Sequence, residues 1–161
     1  MHFKILFSMI FASAVYGCGS LPSPPDARER PVHSPIRAEA VLQALLALGI
    51  EYHPGGRSPV TGFDCSGLVA HVYREAYGMR LPHNARAQSE AGRAVSLAEI
   101  EAGDLLFYDT QSRPFSHVGI YLGDGRFVHA PKAGARVRVE RMENPYWIQR
   151  FNGARRVHAS L

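Results

Sequence analysis

The chain has 161 residues, 46% hydrophobic and 20% charged, with a net charge of +4. This composition suits one globular domain with a tail and excludes a polyelectrolyte-like disordered chain. The mild positive charge forms no basic stripe interleaved with aromatics, so nucleic acid is not an expected partner; two cysteines are too few for a disulfide framework.

In chain order, "MHFK" is a short positive start, and "ILFSMIFASAVYG" is an apolar run of signal-peptide length, too short for a comfortable membrane span. The run ends in "VYGC", which resembles a bacterial lipobox. That resemblance implies cleavage before Cys18 and a lipid on Cys18, with Tyr16 bulkier than the pattern usually carries; Gly19 in place of a retention aspartate favours the outer membrane. The expected organisation is a lipoprotein signal peptide over 1–17, a Pro/Ser-rich tether over 18–34 and a folded domain over 35–161, anchored in the cell envelope with the domain in the periplasm.

A helix is expected over 35–48, with Ser34 as cap, Pro35 in the first turn, Gly49 as stop, and Val41, Leu42, Leu45, Leu46 and Leu48 as its apolar face. Residues 49–62 read as loop. A second helix begins near Asp64, runs to Tyr77 and ends at Gly78; Leu68, Val69, Val72, Tyr73 and Ala76 recur at helical spacing. A short third helix falls within 81–92. The pattern then turns β-like at 103–109, 116–122, 126–130, 136–140 and 154–157. Helices first and an antiparallel sheet of about five strands after is an α+β arrangement.

"TGFDCSGLVAHVYREAYG" holds Cys65. With Cys18 acylated, Cys65 has no disulfide partner in an oxidising compartment, and such a thiol is either packed filler or a reactive group. Asp64 is a good N-cap, which puts Cys65 in the first helical turn, where amide N–H groups and the macrodipole favour a thiolate. A helix end and a neighbouring imidazolium bring a thiol from about 8.5 to about 3.5–7.5. Ser66 and Gly67 are small and leave the sulfur approachable. On this stretch alone, packing and nucleophilic readings are equally open.

Of eight histidines, His117 and His129 stand apart. Treated as a hairpin, "SHVGIYLGDGRFVHA" pairs Ile120 with Val128 and Val118 with Ala130 if the loop is Gly123-Asp124-Gly125. Both imidazoles then lie on one sheet face, with Gly119 between them leaving space; a two-residue Asp-Gly turn would split them between faces. Such a pair could serve a nucleophile, join Cys65 in a Cys-His-His metal set, or be structural. Neither CxxC nor HExxH supports the metal reading, so no metal and no cofactor are expected.

"FDCSGLV", "GDLLFY", "SHVGIYLGDGRFVHAP" and the late "YW…ARRV", in this order, resemble the NlpC-type (NlpC/p60) cell-wall cysteine peptidases, a papain-like group, over roughly residues 36–158. The resemblance implies Cys65 as nucleophile, His117 as general base and then acid, His129 as the residue orienting His117, and Tyr52 as an oxyanion donor. It implies hydrolysis of an amide bond in diaminopimelate-containing peptidoglycan stem peptides: the D-Ala–diaminopimelate crosslink, towards which a small lipoprotein leans, or the γ-D-Glu–diaminopimelate bond. Departures at His53-Pro54 and "LPHNARAQ" bear on groove shape. Arg136, Arg138 and Arg141 could contact stem-peptide carboxylates but read first as a solvated strand face. Competing readings are a non-catalytic wall-binding lipoprotein and a thiol acyltransferase or amidase; no regulatory envelope partner is named by the sequence. With His129 as a neutral acceptor titrating near 6.5, activity is expected to fall below about pH 6.

Overall fold

The computed structural model describes residues 35–157; Ser34, Cys18 and the expected signal and tether segments lie outside the described residues. Helix α1 is Pro35–Leu46. Its buried stripe is Ala40, Ala44 and Ala47, while Leu42, Leu45, Leu46 and Leu48 are exposed, which corrects the expected leucine face. Small side chains at this spacing let α1 lie close against α2, and a leucine ridge would hold the axes apart.

A two-stranded hairpin follows, β1 (Arg57–Ser58) and β2 (Gly62–Phe63). Helix α2, Cys65–Tyr77, buries Leu68, Val69, Val72 and Tyr73 and ends on Gly78 at φ 66°. A four-residue helix, α3 (Ala85–Gln88), is capped by Asn84.

The sheet has six antiparallel strands, one more than expected: β3 (Arg93–Val95), β4 (Leu105–Tyr108), β5 (His117–Gly123), β6 (Arg126–His129), β7 (Arg138–Arg141) and, after the short helix α4 (Pro145–Ile148), β8 (Phe151–Arg156). Their spatial order is β3-β8-β4-β5-β6-β7. The unexpected members, β3 and α4, are too short for periodicity to mark.

Apolar alternation shows in two cores. Leu105, Phe107, Val118, Ile120 and Val128 pack on the helices. Leu106, Tyr108, Tyr121 and Phe127 cover the other face with Trp147 of α4. At the edge, Arg156 grips Asp104 with two hydrogen bonds of 2.9 and 2.8 Å, and Tyr73 donates to the Gly103 carbonyl at 2.7 Å. A buried pair satisfied in this bidentate way fixes β8 against the β4 entry.

The β5–β6 hairpin has the expected pairing, Ile120 with Val128, but a different loop. Gly123 pairs with Arg126, leaving a two-residue Asp124-Gly125 turn with both φ positive (51° and 68°). Leu122 is the extra residue of a bulge between Tyr121 and Gly123. The bulge supplies the one-residue shift that keeps both histidines on one face despite the short turn.

Candidate active site

Asp64 organises the head of α2. Its Oδ1 accepts from the Gly67 amide at 2.6 Å and from the Ser66 hydroxyl at 3.0 Å, and its Oδ2 accepts from the Gly55 amide at 3.0 Å. One carboxylate thus caps the helix and ties the preceding glycine loop to it. A β-carbon on Gly67 would run into the Gly56 carbonyl, so this close approach requires glycine. From below, the buried Gln88 donates to the Ser66 and Pro82 carbonyls at 2.9 and 2.7 Å.

Cys65 opens α2 and is half-buried. Its thiol is pushed up to about 11, first by burial and then by the charge of Asp64; the amides of Val118, Ser66 and Cys65 itself pull only part of the way back. The resting group is therefore a thiol. The expected helix-end activation is present but outweighed by desolvation.

His117 heads β5, next to Val118, whose amide reaches the sulfur. Its Nε2 lies 2.7 Å from Nδ1 of His129, with the rings perpendicular. Both rings are buried, at 3% and 0% exposure, and burial holds both well below the ordinary histidine range; for His129 the neighbouring His117 and Arg138 add to this. Both imidazoles are neutral at rest. Gly119 makes room on this face for Phe127: a β-carbon there would sit 2.6 Å from the Phe127 ring and 2.9 Å from the Val128 carbonyl oxygen.

Trp147 falls within the "YW…ARRV" stretch but carries no role in the sequence reading. Its ring stacks on His117 at 5.7 Å and 22°, and meets His129 at 5.0 Å and 89°. It is the chain's one tryptophan, a signal that points to a buried aromatic without saying on what it rests. Nε2 of His129, enclosed with Phe127 and Trp147, is buried without a hydrogen-bond partner among the described residues.

A cleft of about 700 Å³ opens over Cys65, lined also by Tyr52, His83, Arg86 and Phe115. A second, of about 540 Å³, shares Tyr52 and Gln111 with it and is walled by Trp147, Lys132 and Arg138. Tyr52 thus stands where the two meet; burial, then the charges of Cys65 and Asp64, keep its phenol protonated. His53 is exposed and donates to the Pro54 carbonyl at 3.0 Å. Arg136 pairs with Glu51, Arg141 with Glu143 and Arg138 with Glu140. Among the described residues no three His, Cys, Asp or Glu side chains converge as a metal set.

Residues 49–156 match the model of the NlpC/P60 family. The chain belongs to the NlpC/P60 family. Among curated relatives, it is 42% identical over 109 residues to the murein DD-endopeptidase MepS/murein LD-carboxypeptidase of Escherichia coli K12, covering 68% of this chain and 56% of that protein. It is 38% identical over 117 residues to the gamma-DL-glutamyl hydrolase of Bacillus subtilis 168, covering 72% of this chain and 28% of that one. Among solved structures, the NlpC/p60 domain of the peptidoglycan hydrolase SagA superposes with a TM-score of 0.65 at 34% identity, over 75% of this chain and 98% of that domain. The chain spans about half the length of the first curated relatives it matches. The NlpC/P60 fold of helices on an antiparallel sheet is the α+β arrangement read from the sequence, with a sixth strand added.

Proposed function

We propose that this chain is a cysteine-type endopeptidase of peptidoglycan. The observation that carries the reading is the buried His117–His129 pair, 2.7 Å apart, with the amide of the adjoining Val118 reaching the sulfur of a cysteine that heads α2 and lines a cleft. The names of the relatives, murein DD-endopeptidases and a gamma-DL-glutamyl hydrolase, support the substrate class.

The geometry of the pair supports one set of protonation states. With Nε2 of His117 engaged by His129, Nδ1 is the nitrogen left to take the thiol proton. In that tautomer His117 donates to Nδ1 of His129, and His129 carries its own proton on Nε2. Proton transfer from Cys65 to His117 accompanies attack on the amide carbonyl. The resulting imidazolium donates a charge-assisted hydrogen bond to His129, which stabilises it within the buried pair. The Cys65 amide and the Tyr52 hydroxyl meet the developing oxyanion, a donor of this kind contributing about 3–4 kcal/mol. His117 then protonates the leaving amine and activates water against the thioester.

Residues 1–17 act as a lipoprotein signal, 18–34 as the tether and 35–161 as the peptidase domain, with Cys18 lipidated and the domain facing the wall from the outer membrane. The test incubates the full chain, wild type and Cys65→Ala, with diaminopimelate-type sacculi and resolves the released muropeptides by mass. Release by wild type alone supports the assignment, and the product masses distinguish the D-Ala–diaminopimelate from the γ-D-Glu–diaminopimelate bond. Equal release by both proteins, or none by either while both are folded, sinks it.

A further inference from the structure

Many arginines of the domain are paired with acidic neighbours: Arg37 and Arg156 with Glu101 and Asp104, Arg86 with Glu90, Arg126 with Asp124, and Arg136, Arg138 and Arg141 with glutamates. Arg57 and Arg80, like Arg93, Arg113, Arg150 and Arg155, lie outside these pairs, but they alone among that group share one pocket on α2. Neither forms an ion pair with the described residues, yet both line the same concavity of about 380 Å³ on the flank of α2. Arg74 lines it as well, bonded to Glu75 at 2.9 Å. No acidic side chain is part of the lining.

Gly67, Ala70, His71 and Arg74 present one face of α2 to this pocket, at i, i+3, i+4 and i+7. Nδ1 of His71 accepts from Arg74 at 3.0 Å, and burial lowers the imidazole's affinity for a proton, so the positive charge here is guanidinium charge. The pocket neighbours the cleft over Cys65: His83 lines both, and Gly67 is two residues from Cys65 along the chain.

Two guanidinium groups without a carboxylate partner, Arg57 and Arg80, beside a third that Glu75 holds, create a site for an anion, and their planar forks suit a carboxylate held by paired hydrogen bonds. Resting on the peptidoglycan reading above, we infer that the pocket of Arg57, Arg74 and Arg80 holds a free carboxylate of the stem peptide whose amide lies over Cys65, and so selects peptides that are not amidated there. The wall that His83 shares with the reacting cleft favours a carboxylate of the substrate itself over an independent phosphate.

The test reads binding, so it is independent of turnover. The full chain bearing Cys65→Ala is titrated with a cross-linked muropeptide in its free-acid form and with its carboxyl groups amidated, then compared with the same chain also carrying Arg57→Ala and Arg80→Ala. The parent should bind the free acid at least about tenfold more tightly, the worth of a hydrogen bond to a charged group, and the double replacement should abolish that preference while leaving binding of the amidated peptide and the melting temperature unchanged. A preference equal in both proteins, or absent from the parent, overturns the inference, as does, in a parallel titration with inorganic phosphate, a loss confined to phosphate binding. Failure of the peptidase reading would instead appear as absence of cleavage by wild type.

Discussion

Asp64 does two opposed things to its neighbour. By capping α2 it holds Cys65 where three amides face the sulfur, and by its charge it disfavours the thiolate those amides would stabilise. Burial adds to the charge, and the thiol ends near 11. Asp64→Asn separates the two effects. The amide oxygen still accepts from Gly67, so the cap survives, while the negative charge is gone. The rate of Cys65 alkylation by iodoacetamide should then reach its half-maximum at a lower pH than in wild type. The Gly55 amide loses its charged acceptor, at a stability cost of about 1 kcal/mol, measurable by urea unfolding. An unchanged alkylation profile would mean that desolvation alone sets the thiol.

Elements decide what the histidine pair rests on. α4 is four residues long, capped by Asn144 and begun by Pro145, and it delivers Trp147 flat against His117. Trp147→Ala should therefore act on both counts: roughly 3–5 kcal/mol of stability from an emptied core site, and loss of turnover where the domain remains folded. Trp147→Phe keeps an aromatic surface and should restore folding with only part of the activity; comparing kcat with the melting temperature for both variants separates positioning of His117 from simple packing. Much of this site is written in the sequence, because strand alternation places His117 and His129 on one face and a capping residue places Cys65 in a first turn. The bulge at Leu122 is not, since a Gly-Asp-Gly stretch accommodates a three-residue loop or a two-residue turn with a bulge equally well. Nor is the outward turn of the α1 leucines: hydrophobic spacing marks an apolar stripe, but the neighbour's distance selects which stripe goes inside. The role of Trp147 was not legible, because no periodic signal attaches a four-residue helix to histidines 30 and 18 positions before its tryptophan.

For the whole molecule, two buried neutral imidazoles link the candidate active site to stability. Unfolded histidine binds a proton near pH 6.5, while burial depresses both His117 and His129 in the folded state. Below 6.5 the unfolded chain takes up protons that the native one refuses, so stability is lost as pH falls through that range, by up to about 1.4 kcal/mol per pH unit for each histidine. The same depression moves the acid limb of activity below the pH 6 expected for a free imidazole, because His129 keeps its acceptor nitrogen bare there. His129→Gln removes one of the two titrating groups and retains an acceptor for Nε2 of His117. Urea unfolding between pH 6.5 and 5 should then give a shallower decline for the variant than for wild type, by roughly the share of one histidine. Parallel declines would mean that His129 already exchanges protons with solvent in the native state, and the acid limb of turnover would return to pH 6 with it.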